Sequence, residues 1–140
     1  MFMELKRGQV SVEYLILVGF LTFIIIGILG LSFYYSNSVQ DQIKSTQVQS
    51  FANKLISTSE RVFYSGKPSK ATITAYLPEG IQSIEFYEGG IVIAYKTASG
   101  LNKNHFESNV QIFINNIDLG SGIKKLEVTA NETTAIITQI

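Results

Sequence analysis

The chain begins as one kind of helix, continues as another and ends in strands. From Tyr14 to Gln40 no charged residue occurs, and Tyr14–Tyr35 is a run of 22 residues broken only by Gly, Thr and Ser. A helix needs about 20 apolar residues to cross a bilayer. Beyond Tyr35 the apolar residues thin into a stripe of Val39, Ile43, Val48, Phe51, Leu55 and Val62, widened by Ile56 and Phe63. The later spacings of three, four and seven are those of one helix face. Gln40, Asp41, Gln42, Lys44, Gln47, Gln49, Lys54 and Arg61 read as the solvated face. No proline intervenes before Pro68, and Gly66 followed by Pro68 is a stop signal. The pattern predicts one helix from about Ser11 to Tyr64, on the order of 80 Å long.

From Ala71 the period changes to two. Ala71–Leu77, Ser83–Glu88, Ile91–Thr97, Val110–Asn115, Lys125–Ala130 and Thr134–Ile140 are rich in Ile, Val, Thr, Tyr and Phe and are predicted strands. Gly89-Gly90 is a two-residue hairpin signal. Asn131-Glu132, with or without Thr133, is a weaker one. Ser99–Asn104 and Asp118–Gly122 read as loops. The predicted fold class is α+β. A long N-terminal helix, hydrophobic and then amphipathic, carries a C-terminal antiparallel β-sheet head in a lollipop arrangement.

Composition narrows the function classes. The 140 residues suit one small domain plus an anchor. A head of about 75 residues has a marginal core of its own, so it is expected to lean on the amphipathic half of the helix. Eleven basic and eleven acidic residues balance, with no basic stripe to neutralise phosphates. Nucleic-acid binding therefore has little support. The absence of cysteine excludes disulfides, thiolate catalysis and Cys-ligated zinc.

The N-terminal flank changes the picture most. An ordinary secretory signal has its apolar segment before the cut. Here Lys6-Arg7-Gly8-Gln9-Val10-Ser11-Val12-Glu13-Tyr14 comes first and the apolar run follows. This stretch resembles the class III signal peptide of type IV pilin-like proteins, most closely the archaeal pilins, over roughly residues 4–35. Lys6, Arg7 and Gly8 match a charged leader ending in a small residue. Gln9, Ser11 and Glu13 match the Gln-x-Ser-x-Glu start of the mature chain, continued by Tyr14-Leu15-Ile16-Leu17-Val18-Gly19. The resemblance implies a leader 1–8 cut between Gly8 and Gln9, a helix 9–66 and a head 67–140. Lys6, Arg7, Gly8, Gln9 and Ser11 would be read by a prepilin peptidase. Before the cut, Lys6 and Arg7 hold the N-terminus in the cytoplasm by the positive-inside bias.

Cleavage would expose an α-amine at Gln9, with a reference pKa of about 8. A lone carboxylate in an apolar filament core carries a heavy desolvation cost unless paired. The resemblance implies that Glu13 pairs with the Gln9 amine of a neighbouring copy, although an acid in a first helical turn also suits the helix dipole. Ser11 suits a helix cap. Val10, Leu15, Ile16, Val18, Gly19, Phe23, Ile26, Gly27 and Gly30 would pack the core of a homopolymer. Gly19, Gly27 and Gly30 fit either a locally unwound packing patch or ordinary membrane-helix glycine. Tyr34 and Tyr35 fall where an interfacial aromatic belt belongs.

By the same resemblance the precursor is a single-pass membrane protein, drawn into an adhesive extracellular filament by an assembly ATPase and a membrane platform protein. The rivals are a minor pilin or pseudopilin of a secretion or uptake machine, and an uncleaved anchored extracellular binding protein. The Gln9–Glu13 start departs from the Gly- and Ala-rich start of archaellum subunits.

Candidate chemistry elsewhere is sparse. Asn131-Glu132-Thr133 is the only Asn-x-Ser/Thr sequon, making Asn131 a candidate glycan acceptor. His105 is the only histidine and falls in a predicted loop. Glu85 and Glu88 are three apart on one predicted strand and so point to opposite faces. No catalytic residues, cofactor or metal ligands are expected.

Overall fold

A computed structural model describes residues 2–140, with side chains from Gly8 onward. The chain divides into an N-terminal unit ending at Val39 and a second unit, Gln40–Ile140. The described residues form one helix, α1 (Phe2–Tyr64), and seven strands: β1 (Lys70–Leu77), β2 (Ile81–Tyr87), β3 (Gly90–Thr97), β4 (Gly100–Glu107), β5 (Gln111–Asn115), β6 (Gly122–Ala130) and β7 (Thr134–Gln139). The α+β class is as the pattern predicts.

The helix begins earlier than about Ser11. Met3, Glu4, Leu5, Lys6 and Arg7 are good helix formers with no breaker among them, so the turns before Gln9 are helical too. Ser11 consequently lies inside α1 and does not cap its start. The helix runs unbroken through Gly19, Gly27 and Gly30. It stops where predicted. Gly66 takes a left-handed φ of 76°, and its N–H donates to the Phe63 carbonyl at 3.1 Å.

The second unit has its core between the C-terminal part of α1 and two sheets. Val48, Phe51, Ala52, Leu55 and Val62 are buried against Ile73, Leu77, Ile91, Ile93, Leu126, Val128 and Ile137. One sheet has the order β1-β6-β7-β5 and the other β2-β3-β4. In β1 and β6 alternate residues are buried, as period two requires.

Several details differ from the expectation. The pairing is antiparallel except that β5 runs parallel to β7. After β5 the chain crosses to β6, on the far side of β7. β7 then returns between them, antiparallel to β6 and hence parallel to β5. β6 starts three residues before the predicted Lys125, because Gly122–Lys124 pair with Ala75–Leu77.

The predicted loop Ser99–Asn104 is mostly strand. β4 reads Gly-Leu-Asn-Lys-Asn-His-Phe-Glu and is exposed over most of its length. As an edge strand paired only to β3, it has no apolar alternation to betray it. His105 accordingly sits on a strand. The first hairpin turn is Glu88-Gly89, since Tyr87 pairs with Gly90. Gly89 supplies the positive φ of 102°. Glu88 therefore lies outside the strand that carries Glu85.

Gly90 is required for another reason. A Cβ there would overlap the Phe106 carbonyl oxygen and lie 2.8 Å from the Tyr87 hydroxyl. The Tyr87 ring stacks on His105 at 4.5 Å between centroids. Lys124 lies in the inward row of β6 and is buried, and its ammonium reaches Asp118 Oδ2 at 2.7 Å. That bond, together with the Gly120 N–H, holds the Asp118 carboxyl below the usual carboxylate range.

Candidate functional site

The residues of the N-terminal flank and the apolar run lie on one unbroken helix. Gln9 and Glu13 are four residues apart, so they share a helix face, and both are exposed. Gly8 and Ser11 are exposed on the same helix. The side chains of Lys6 and Arg7 lie outside the described residues.

Beyond Glu13 the large apolar side chains stay uncovered on every face of the helix. Their exposure runs from 39% at Ile24 to 75% at Phe23, and Val10, Leu15, Ile16, Val18 and Ile26 are all exposed. This segment is long and apolar enough to cross a membrane, and none of it is buried in the chain. Tyr14 and Tyr34 bracket it about 30 Å apart along the helix, the thickness of a hydrocarbon core. Tyr34 and Tyr35 meet edge to face at 6.0 Å. The Thr22 hydroxyl donates to the Val18 carbonyl at 2.8 Å, so this polar group needs no outside partner.

No protein family, characterised protein or solved structure matches this chain.

The second unit contributes a set of polar ties, from Asp41, Lys44 and Lys54, which the sequence pattern had placed on the solvated face, and from Glu60, which it had not singled out. The stripe members Val39 and Ile43 are about half exposed, whereas the part-buried Asp41 and Lys44 continue the line of the buried positions 48, 51, 55 and 62. Asp41 and Lys44 thus occupy the first two positions of the core-facing stripe. Asp41 accepts from the Ala98 N–H at 2.9 Å, from the Ser99 N–H at 3.3 Å and from the Ser99 hydroxyl at 2.8 Å. The Ala98 N–H first, and then the Ser99 hydroxyl, hold its carboxyl below the usual range. Lys44 donates to the Lys96 carbonyl at 3.0 Å.

Further along, Lys54 donates to the Thr74 carbonyl. Glu60 accepts from the Asn109 N–H at 3.0 Å and from its side-chain amide at 3.2 Å. These four residues fasten the helix to both sheets. The 3-4-3-4 spacing of positions 41, 44, 48, 51 and 55 is the sequence signal that would have found the first two.

The remaining candidates stay dispersed. His105 faces Tyr87, Glu85 is exposed on β2, and no metal-binding cluster occurs among the described residues. Asn131 lies at the exposed tip of the β6–β7 hairpin, which is the three-residue form of the turn.

Proposed function

We propose that this chain is the precursor of a structural subunit of a type IV pilus-like surface filament of the archaeal kind, acting in adhesion. One observation carries the reading. A charge-free apolar segment, uncovered on all faces, follows a single carboxylate at Glu13, and its helix continues into the core of a small folded head. A soluble protein does not leave so large an apolar surface uncovered.

The steps follow from the residues. The uncut chain rests in a bilayer through Tyr14–Tyr35. A prepilin peptidase cuts between Gly8 and Gln9 and frees the Gln9 α-amine. Glu13 of one copy pairs with that amine on another, which neutralises both charges and fixes the axial register. Val10, Leu15, Ile16, Val18, Gly19, Phe23, Ile26, Gly27 and Gly30 exchange lipid for protein, and close packing rather than apolar area drives the exchange. The peptidase, the assembly ATPase and the membrane platform are partners by the resemblance of residues 4–35.

The test is the N-terminal sequence and intact mass of the chain from a sheared cell-surface fraction. A start at Gln9 in sedimentable filaments supports the reading. High copy number marks a principal subunit and low copy number a minor pilin or pseudopilin. An intact leader found only in membranes overturns it in favour of an anchored binding protein.

A further inference from the structure

We infer that Asn131 is an N-glycan acceptor, modified on the folded head. The inference rests on the extracytoplasmic placement of the head in the reading above. Its substrate class is a lipid-linked glycosyl phosphate used by a membrane-bound transferase. Asn131-Glu132-Thr133 is the sole sequon, and it forms the whole of the β6–β7 turn.

The hairpin closes just beneath it. Ala130 pairs with Ala135, and the Asn131 N–H donates to the Thr134 carbonyl at 2.8 Å. All three turn residues are exposed. A transferase can therefore engage the triplet without opening the sheet, which a sequon inside a ladder would not permit.

The side chain is also oriented for the chemistry. Asn131 Oδ1 accepts from the Glu132 N–H at 2.8 Å, while its amide nitrogen has no partner among the described residues. Glu132 is tied to Lys67 at 3.0 Å. In the transfer, the Asn131 amide nitrogen bonds to the anomeric carbon of the sugar. The bond from that carbon to the phosphate oxygen breaks, the lipid phosphate leaves with the electron pair, and the amide proton is lost to a base. The Thr133 hydroxyl is the second element the transferase reads.

The test is peptide mass spectrometry on the full chain isolated from its own cells. Trypsin cuts after Lys125 and finds no Lys or Arg between there and Ile140, so Asn131 falls in the peptide that begins at Leu126. That peptide is expected to carry a sugar mass on Asn131. Asn131→Gln and Thr133→Ala each abolish the increment, and Thr133→Ser retains it. A bare peptide from the native protein, or an increment that survives Asn131→Gln, overturns the inference. The same sample reports the N-terminus separately. A Gln9 start with bare Asn131 refutes only the glycan, and an uncut leader with glycosylated Asn131 refutes only the processing.

Discussion

Leu55→Ala and Leu21→Ala make one chemical change at two points of the same helix, and they are expected to act on different properties. Leu55 is fully buried among the head's core residues, whereas Leu21 is half exposed in the apolar run. Removing a buried leucine loses transfer energy and leaves a cavity, at a cost of about 3 kcal/mol or more. For a unit near 100 residues, each kcal/mol lowers the melting temperature by about 4–8 °C, so Leu55→Ala should lower it by about 12–24 °C. Leu21→Ala opens no cavity in the head and should change its stability by less than about 0.5 kcal/mol. Its effect should appear as fewer filaments. The assay is thermal unfolding of the full chain in detergent micelles, followed by tyrosine fluorescence and circular dichroism, alongside filament yield in cells. An equal loss of melting temperature in both variants would refute the division of the helix into a core half and a shaft half. A Leu55→Ala variant within about 1 kcal/mol of the parent would refute the packing of α1 on the sheets.

Three further outcomes follow from named groups. Glu13→Gln should leave the Gly8–Gln9 cut intact and abolish filaments, as read by N-terminal sequencing of membranes and electron microscopy of cells; normal filaments would sink the pairing role. Gly90→Ala should cost about 2–4 kcal/mol, from overpacking against the Phe106 carbonyl and loss of a ladder hydrogen bond, and denaturant unfolding would measure it. Asp41 and Asp118 both titrate below the ordinary range when folded. Their stabilisation is therefore full above about pH 4 and lost as pH falls through the folded values. Asp41→Asn should lower stability at neutral pH and flatten that acid slope, and an unchanged slope would count against the Ala98–Ser99 clamp.

The legible parts of this molecule were those whose burial follows a simple period. Val48, Phe51, Leu55 and Val62 announced a helix face, and Gly66 announced its end. Ile73, Ala75 and Leu77 announced a half-buried strand. What escaped was structure held by a neighbour. β4 is polar because it has β3 on one side and solvent on the other, so its sequence reads as a loop. Asp41 and Lys44 hold the core-facing stripe of α1, but charge alone marks a residue as solvated. Their partners are backbone groups of Lys96, Ala98 and Ser99, more than fifty residues away. The parallel β5–β7 pair was equally invisible, because each strand's own pattern is indifferent to the direction of its partner. Of the candidate site, the apolar run and the exposure of Asn131 were readable in advance, while the ties that root the helix in the head were not.

If the chain assembles as proposed, the energetics of the apolar run decide which of its residues can control that assembly. Sixteen large apolar side chains between Val10 and Leu31 are uncovered in the single chain. At about 1.5 kcal/mol or more each, leaving them in water would cost on the order of 20 kcal/mol. That exceeds the roughly 5–15 kcal/mol that stabilises a whole domain, so water is a poor surrounding for these side chains, and on the proposed function their two covers would be lipid and other copies. Lipid tails and leucine side chains are equally apolar, so the same large term nearly cancels between the two covers. What remains to choose between them is small and local. Glu13 is the carboxylate at the run's edge, which lipid disfavours, and on the proposed function a partner amine would relieve it. Gly19, Gly27 and Gly30 let backbones approach in protein as lipid chains do not require. A loss of several of the sixteen apolar side chains should therefore shift membrane and filament together, whereas loss of the single carboxylate should separate them.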